Sequence, residues 1–167
     1  LPGTPNRTVL AARIDGPDGE LPVLCTHLSA DPAGSAERRD QVRTVVDLAV
    51  STGRGDFPQV IAGDLNAEPD SDEVRLLSGT KTAPHRSGFI LLDAWQFAED
   101  DDPGWTWRRD NPYIRYSFNA RIDYLHIAEP GPDGVGVPLR VWVAGNNDVD
   151  GVRPSDHLAV VADLKRL

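Results

Sequence analysis

Apolar and polar positions fall into a small number of blocks along the chain. Residues 8–14 (TVLAARI) and 21–28 (LPVLCTHL) are β-branched or apolar runs joined by DGPDGE, a string of turn formers, which predicts a β-hairpin. Residues 35–52 place apolar side chains at 42, 45, 46, 48, 49 and 50, the spacing of an amphipathic helix, with Ser35 as N-cap and Gly53 as its stop. DFPQVIAGDLN (56–66) predicts a strand. DSDEVRLLSG (70–79) predicts a short helix started by Asp70 or Ser71 and ended by Gly79. The stretch 80–112 is less regular, with a short strand or helical turn in GFILLDAWQFA (88–98) and an acidic turn before the aromatic end of DDDPGWTW (100–107). NARIDYLHIA (119–128) alternates and predicts a strand. A Gly- and Pro-rich loop (129–138), a strand (139–145), a polar loop (146–156) and a closing strand (157–167) follow. There is no internal repeat. A helix set between strands predicts an α/β class with mixed sheets, in one domain spanning 1–167.

Composition narrows the picture. A chain of 167 residues with 40% hydrophobic content can bury a core. Its net charge of −9, from 26 acidic and 17 basic residues, argues against broad electrostatic capture of nucleic acid or of an anionic membrane. A local basic patch or a bound metal stays compatible with that balance. The single cysteine, Cys25, excludes an internal disulfide and is expected to be a small buried hydrophobe. No apolar stretch approaches the ~18 residues of a membrane span, and no basic-then-apolar leader is present. The chain opens on Leu1 and holds no methionine, which suggests that sequence was removed upstream.

Chemistry-bearing residues gather at strand ends. Asp64 and Asn66 close the apolar run VIAGDLN two positions apart. Side chains alternate along a strand, so the pair is expected to project together into one cleft, where α/β folds tend to hold ligands. An Asp/Asn turn capping the next helix is the alternative. His27 ends VLCTHL. Arg121 and Asp123 lie in ARIDYLHI, where a buried aspartate needs a partner; a histidine, or Arg121 itself, would serve. Asp156 and His157 precede the closing apolar run, as a strand cap or as part of a site.

Taken in order, THL, GDLN, RIDY and SDH resemble the motifs of the endonuclease/exonuclease/phosphatase superfamily, over about Thr8 to Leu164. This group includes DNase I-like nucleases, abasic endonucleases, inositol polyphosphate phosphatases and neutral sphingomyelinases. The resemblance implies a two-layer β-sandwich flanked by helices and a divalent-metal-dependent hydrolysis of phosphate esters, phosphodiester or phosphomonoester, by an activated water. By position, His27 matches a phosphate-binding histidine and Asp64 the aspartate that orients or deprotonates water, near the metal. Asn66 matches the amide that holds phosphate, and Asp123 the carboxylate that orients His157. Asp156 matches a metal-associated carboxylate, and His157 contacts the phosphate. Arg7 would face the phosphate, and Trp105 and Trp107 resemble a TW segment at the substrate rim, Trp107 as a substrate-binding residue. The expected cofactor is Mg²⁺ or Mn²⁺, and the substrate a phosphate ester of nucleic acid, inositol phosphate or a phospholipid head group.

The resemblance also implies an opening strand with an asparagine and another ending in a metal-binding glutamate. Glu20, in the hairpin turn, and Glu37, at a helix start, do not match it. The chain is therefore expected to be an N-terminally truncated, partial domain with weak metal binding and little turnover of its own. An unpaired sheet edge or apolar face would favour self-association. The competing expectation is a catalytically silent binding or interaction module on the same scaffold.

Overall fold

A computed structural model describes residues 1–99 and 101–166. Asp100, at the head of the acidic turn, and Leu167, at the end of the closing strand, lie outside the described residues. Strands β1 (Val9–Gly16) and β2 (Gly19–His27) form the expected hairpin, with Val9 opposite Thr26 and Gly16 opposite Gly19. Helix α1 (Ser35–Thr52) crosses to β3 (Val60–Asp64), followed by helix α2 (Asp72–Ser78). The ambiguous 88–98 stretch holds both alternatives in succession: β4 (Leu91–Asp93) runs into a 3₁₀ turn at Ala94–Phe97. Asp93 accepts a hydrogen bond from the Trp95 amide and so starts that turn. Strands β5 (Asp123–Ala128), β6 (Pro138–Ala144) and β7 (Ala159–Leu164) complete the order, with a 3₁₀ turn at Pro132–Gly134 inside the Gly/Pro loop.

The main sheet runs β1-β2-β3-β5-β4. β2 and β3 are parallel, as a helical crossover requires, and its other pairings are antiparallel. One face carries α1 and α2 over a core of Leu24, Val42, Val45, Ile61, Leu77, Leu91 and Tyr124. The opposite face packs Val60, Ile127, Leu125 and Val23 against Val141 of β6 and Val160 and Ala162 of β7, which pair as a second, two-stranded sheet. Mixed α/β class and sheet-on-sheet layering are thus as expected.

Two local expectations are corrected. Ser35 does not cap α1; the cap position is Gly34, and the Ser35 hydroxyl instead donates to Glu73 Oε2 of α2 at 2.8 Å. Cys25 is exposed. The pleat sets it on the same face as its partners Leu10 and Ala62, on the part of the sheet that β6 and β7 do not cover. Leu10 (67% exposed) and Ile14 (50%) share that side, and the outer edge of β1 pairs with no strand among the described residues.

His126 of β5 is wholly buried, and both ring nitrogens lack a hydrogen-bond partner among the described residues. Burial holds its pKa down to about 4, with the Arg121 cation adding to that and Asp93 opposing it. The depressed value means the native state binds fewer protons than the unfolded chain. Stability is therefore full above the ordinary value of 6.5 and falls as the pH drops from 6.5 towards about 4. That interval corresponds to about 3 kcal/mol at 1.36 kcal/mol per pH unit. Urea unfolding at pH 7.5 and 4.5 should show this loss in the wild type and a much smaller one in His126→Leu, which removes the orphaned ring. Equal acid sensitivity in both proteins would assign the loss elsewhere.

Candidate active site

The register of the sheet creates the site. His27 is the last residue of β2, Asp64 the last of β3 and Asp123 the first of β5, and the pairings His27–Asp64 and Asp64–Asp123 set the three side by side at one edge. His27 Nε2 lies 3.3 Å from Asp64 Oδ2. The fourth group arrives from the other side of the sandwich. His157, just before β7, bridges in antiparallel fashion to Trp107, whose ring meets the imidazole edge-on at 5.0 Å. His157 Nδ1 lies 2.8 Å from Asp123 Oδ2, and its Nε2 lies 4.0 Å from Asp64 Oδ2.

Asn66 reaches the same edge by a route different from the one expected. β3 ends at Asp64, and Asn66 sits at φ +48° in a left-handed turn, so strand alternation does not aim it. Its backbone N–H donates to Asp64 Oδ1 at 2.7 Å, and its side-chain amide donates to the Leu28 carbonyl at 3.1 Å. The turn binds Asp64 and the end of the β2 loop together, while Leu65 points into the core. Arg121 does not pair with Asp123. It is buried, binds Asp93 Oδ2 at 2.7 Å and lies over the Tyr124 ring. Asp156 is exposed and near enough to His157 to raise its pKa, yet is not among the three residues whose ligand atoms converge. Arg7 is half-buried in the coil before β1, with no side-chain hydrogen bond to the cluster among the described residues. Trp105 is exposed at the surface, whereas Trp107 lines a groove beside Asn66.

Charge is concentrated here. Burial and the neighbouring Asp123 carboxylate push Asp64 above the usual carboxylate range, against the Asn66 amide and the two histidines. The hydrogen bond that His157 Nδ1 donates to Asp123 raises His157 above the ordinary imidazole value, and desolvation opposes it. A carboxylate with raised proton affinity beside an imidazole that holds its proton makes an acid–base pair.

Supporting residues went unnoticed in the sequence. Thr106 is fully buried and its hydroxyl accepts from the amides of Ile122 and Asp123 at 3.3 and 3.2 Å, fixing the start of β5. Buried Asn111 donates to the Ser155 carbonyl at 2.8 Å and so anchors the loop that carries Asp156 and His157. The Tyr124 hydroxyl donates to Ala67 and Arg121 carbonyls, pinning the turn after Asn66. Burial pushes that hydroxyl's pKa up. Arg38 Nε pairs with buried Glu73, and its Nη1 donates to the Ser29 and Asp31 carbonyls, tying the loop after β2 to α2. Thr106 and Tyr124 left a trace in the sequence, as the residue between the two tryptophans of WTW and as the last residue of RIDY.

Asp64, Asp123 and His157 each offer one ligand atom, all within 4.8 Å of one another. The two carboxylates are oxygen ligands of the kind Mg²⁺ or Mn²⁺ takes, whereas an imidazole ligand leans towards a Zn²⁺-like ion; Asp156 lies outside this converging group. Beside it a groove of about 660 Å³ is lined by Asn66, Trp107, Tyr116, Phe118 and Ile122.

An α/β sandwich with an Asp–His-rich cluster at the edge of its main sheet defines a DNase I-like fold. The chain belongs to the endonuclease/exonuclease/phosphatase family, whose model matches residues 4–157. Among solved structures it is similar to D. rerio TDP2 complexed with single-strand DNA product, at 21% identity and TM-score 0.73, covering 95% of this chain and 62% of that one. It is also similar to an endonuclease/exonuclease/phosphatase from Bacteroides vulgatus (20% identity, TM-score 0.69, 96% and 56% covered) and one from Beutenbergia cavernae (27%, 0.67, 96% and 39%). The chain spans less than two thirds of the length of these relatives. No curated protein matches it.

Proposed function

We propose that this chain carries the phosphate-handling site of a divalent-metal-dependent phosphoesterase. The observation behind this is the convergence of Asp64, Asp123 and His157 within 4.8 Å, with His27 3.3 Å from Asp64. Asp64, with its raised proton affinity, orients a water and takes its proton. His157, held by Asp123 through Nδ1, presents Nε2 to a phosphoryl oxygen, and its raised pKa favours the cationic donor there. His27 and the second N–H of the Asn66 amide are further donors for phosphoryl oxygens. A divalent cation bound through the Asp64 carboxylate, with His157 kept as the protonated donor, would supply neutralisation of phosphoryl and leaving-group charge. Asp156 and Arg7 would act at the rim of this cluster.

The substrate class that suits the groove is a nucleic-acid strand. Trp107, Tyr116 and Phe118 form a run of tilted rings, 6.3 and 5.8 Å between centroids, on which bases can stack. The TDP2 neighbour with single-strand DNA product supports this choice over an inositol phosphate or a phospholipid head group. No described helix is long and apolar enough to cross a membrane. Self-association through the free β1 edge and the uncovered Leu10–Ile14 strip belongs to the same proposal.

The test is calorimetric titration of Mg²⁺ and Mn²⁺ into the purified chain, paired with hydrolysis of bis(p-nitrophenyl) phosphate. Weak metal binding lost in Asp64→Ala, and slow hydrolysis that chelator abolishes, are the expected results. Metal binding and hydrolysis unaffected by Asp64→Ala would overturn the proposal.

A further inference from the structure

The chain carries a surplus of nine negative charges, so a place where cations collect stands out against its background. One lies on the outer side of the two helices. A cavity of about 350 Å³ is lined by Arg39 and Arg43 of α1, Asp72, Arg75 and Leu76 of α2, and Lys81 and Thr82 just beyond it. Arg39 and Arg43 are four residues apart and share one helix face, an arrangement of like charges that is unfavourable by itself.

The acidic neighbours satisfy only part of this charge. Asp72 pairs with Arg75 at 2.6 Å and approaches Arg39 no closer than 3.9 Å. Asp40 pairs with Arg43. Four cations against two carboxylates leave an excess of two positive charges. Among the described residues Lys81 has no ion pair and the buried Arg39 Nε has no hydrogen-bond partner. Thr82 adds a hydroxyl donor at the rim. Guanidinium forks and an ammonium in excess over the carboxylates around a concavity match a phosphate group, which takes guanidinium in two-point contacts.

We propose that this cavity is a phosphate-binding site separate from the sheet-edge cluster. It is independent of hydrolysis at Asp64, and it takes its anion from either a free phosphate compound or the backbone of a nucleic-acid strand. Asp72 competes with that anion for Arg75 and Arg39 and so sets its affinity.

Pyrophosphate and an unphosphorylated single-stranded pentanucleotide would each be titrated into the whole chain by NMR at low ionic strength, in chelator so that no metal bridges at the sheet edge. Binding should move the amide signals of residues 39–43 and 72–82. It should weaken about tenfold or more in Arg39→Ala/Lys81→Ala, the loss of one or two charged contacts, and tighten in Asp72→Asn. Added salt should weaken it. Tighter binding of pyrophosphate names a free phosphate compound as the source, and tighter binding of the oligonucleotide names a strand. Either outcome supports the site if the double variant loses it. No binding, or binding that the double variant keeps and His157→Ala abolishes, overturns it.

Discussion

Gly63→Ala is expected to destabilise the fold by about 4 kcal/mol or more, a size reserved for changes the backbone cannot absorb. Gly63 has φ +143°, a conformation that disfavours any side chain, and it faces Thr26 across the parallel β2–β3 pair. A Cβ there would lie 1.8 Å from the Thr26 carbonyl oxygen and 2.9 Å from its carbon. These are backbone atoms, so no rotamer change relieves the overlap, and the strands must part. Parting them separates His27 from Asp64, the next pair in the register. Gly88 is the control: its φ is also positive, +76°, but nothing lies within 4 Å of its would-be Cβ. Gly88→Ala then carries only the conformational cost, about 1 kcal/mol. Urea unfolding followed by circular dichroism measures both. If the two variants unfold at similar urea concentrations, the close approach of β2 and β3 is not what holds this edge together.

This glycine shows where the sequence was informative and where it was silent. The strand ending in GDL was legible because its apolar run stops abruptly, and the hairpin and α1 were legible from their periodicity, with Gly53 closing the helix at φ +71°. These signals are local. Cys25 and Ser35 misled for the opposite reason. A cysteine within an apolar run is normally buried, but which face of a strand is covered depends on where β6 and β7 pack, more than a hundred residues later. A serine at a helix start normally caps, but Glu73 of α2 offered the hydroxyl a buried carboxylate. Asn66 arrived at the site through a left-handed turn that alternation does not encode. The partner of Arg121 was Asp93, a neighbour only because β4 and β5 pair at the edge of the sheet. Thr106 and Asn111 support Asp123 and the His157 loop through contacts between segments with no periodic pattern. Residues that bear chemistry were visible by type; those that aim them were visible only after the strands had been ordered.

Asp123→Asn gives the second large effect, and it bears on how the cluster works. Asp123 Oδ2 accepts from His157 Nδ1 at 2.8 Å, and that hydrogen bond is the main reason the imidazole holds its proton above the ordinary pKa. An asparagine keeps the shape but removes the charge, and its NH₂ can face Nδ1 and impose the wrong tautomer. The His157 pKa should therefore fall in the variant, read directly from imidazole NMR signals across pH 5–9. Asp64 should respond as well, since the Asp123 charge is the second cause of its raised value; its proton affinity should drop, making it a weaker base. Both changes act on the reacting groups, so phosphodiester hydrolysis should fall about 10²- to 10⁴-fold in kcat, the usual range for losing positioned acid–base chemistry. The stability sign is separate. His157, with a raised native pKa, stabilises the fold most below its unfolded value of 6.5, and that contribution disappears as the pH rises through the native value. Asp123→Asn should therefore narrow the stability gap to wild type as the pH rises from 5 to 9, while the loss in kcat persists at neutral pH. An unchanged His157 titration together with hydrolysis within about threefold of wild type would mean that Asp123 neither orients nor charges the histidine. The acid–base work would then have to be carried by His27 and Asp64, the pair 3.3 Å apart on the neighbouring strands.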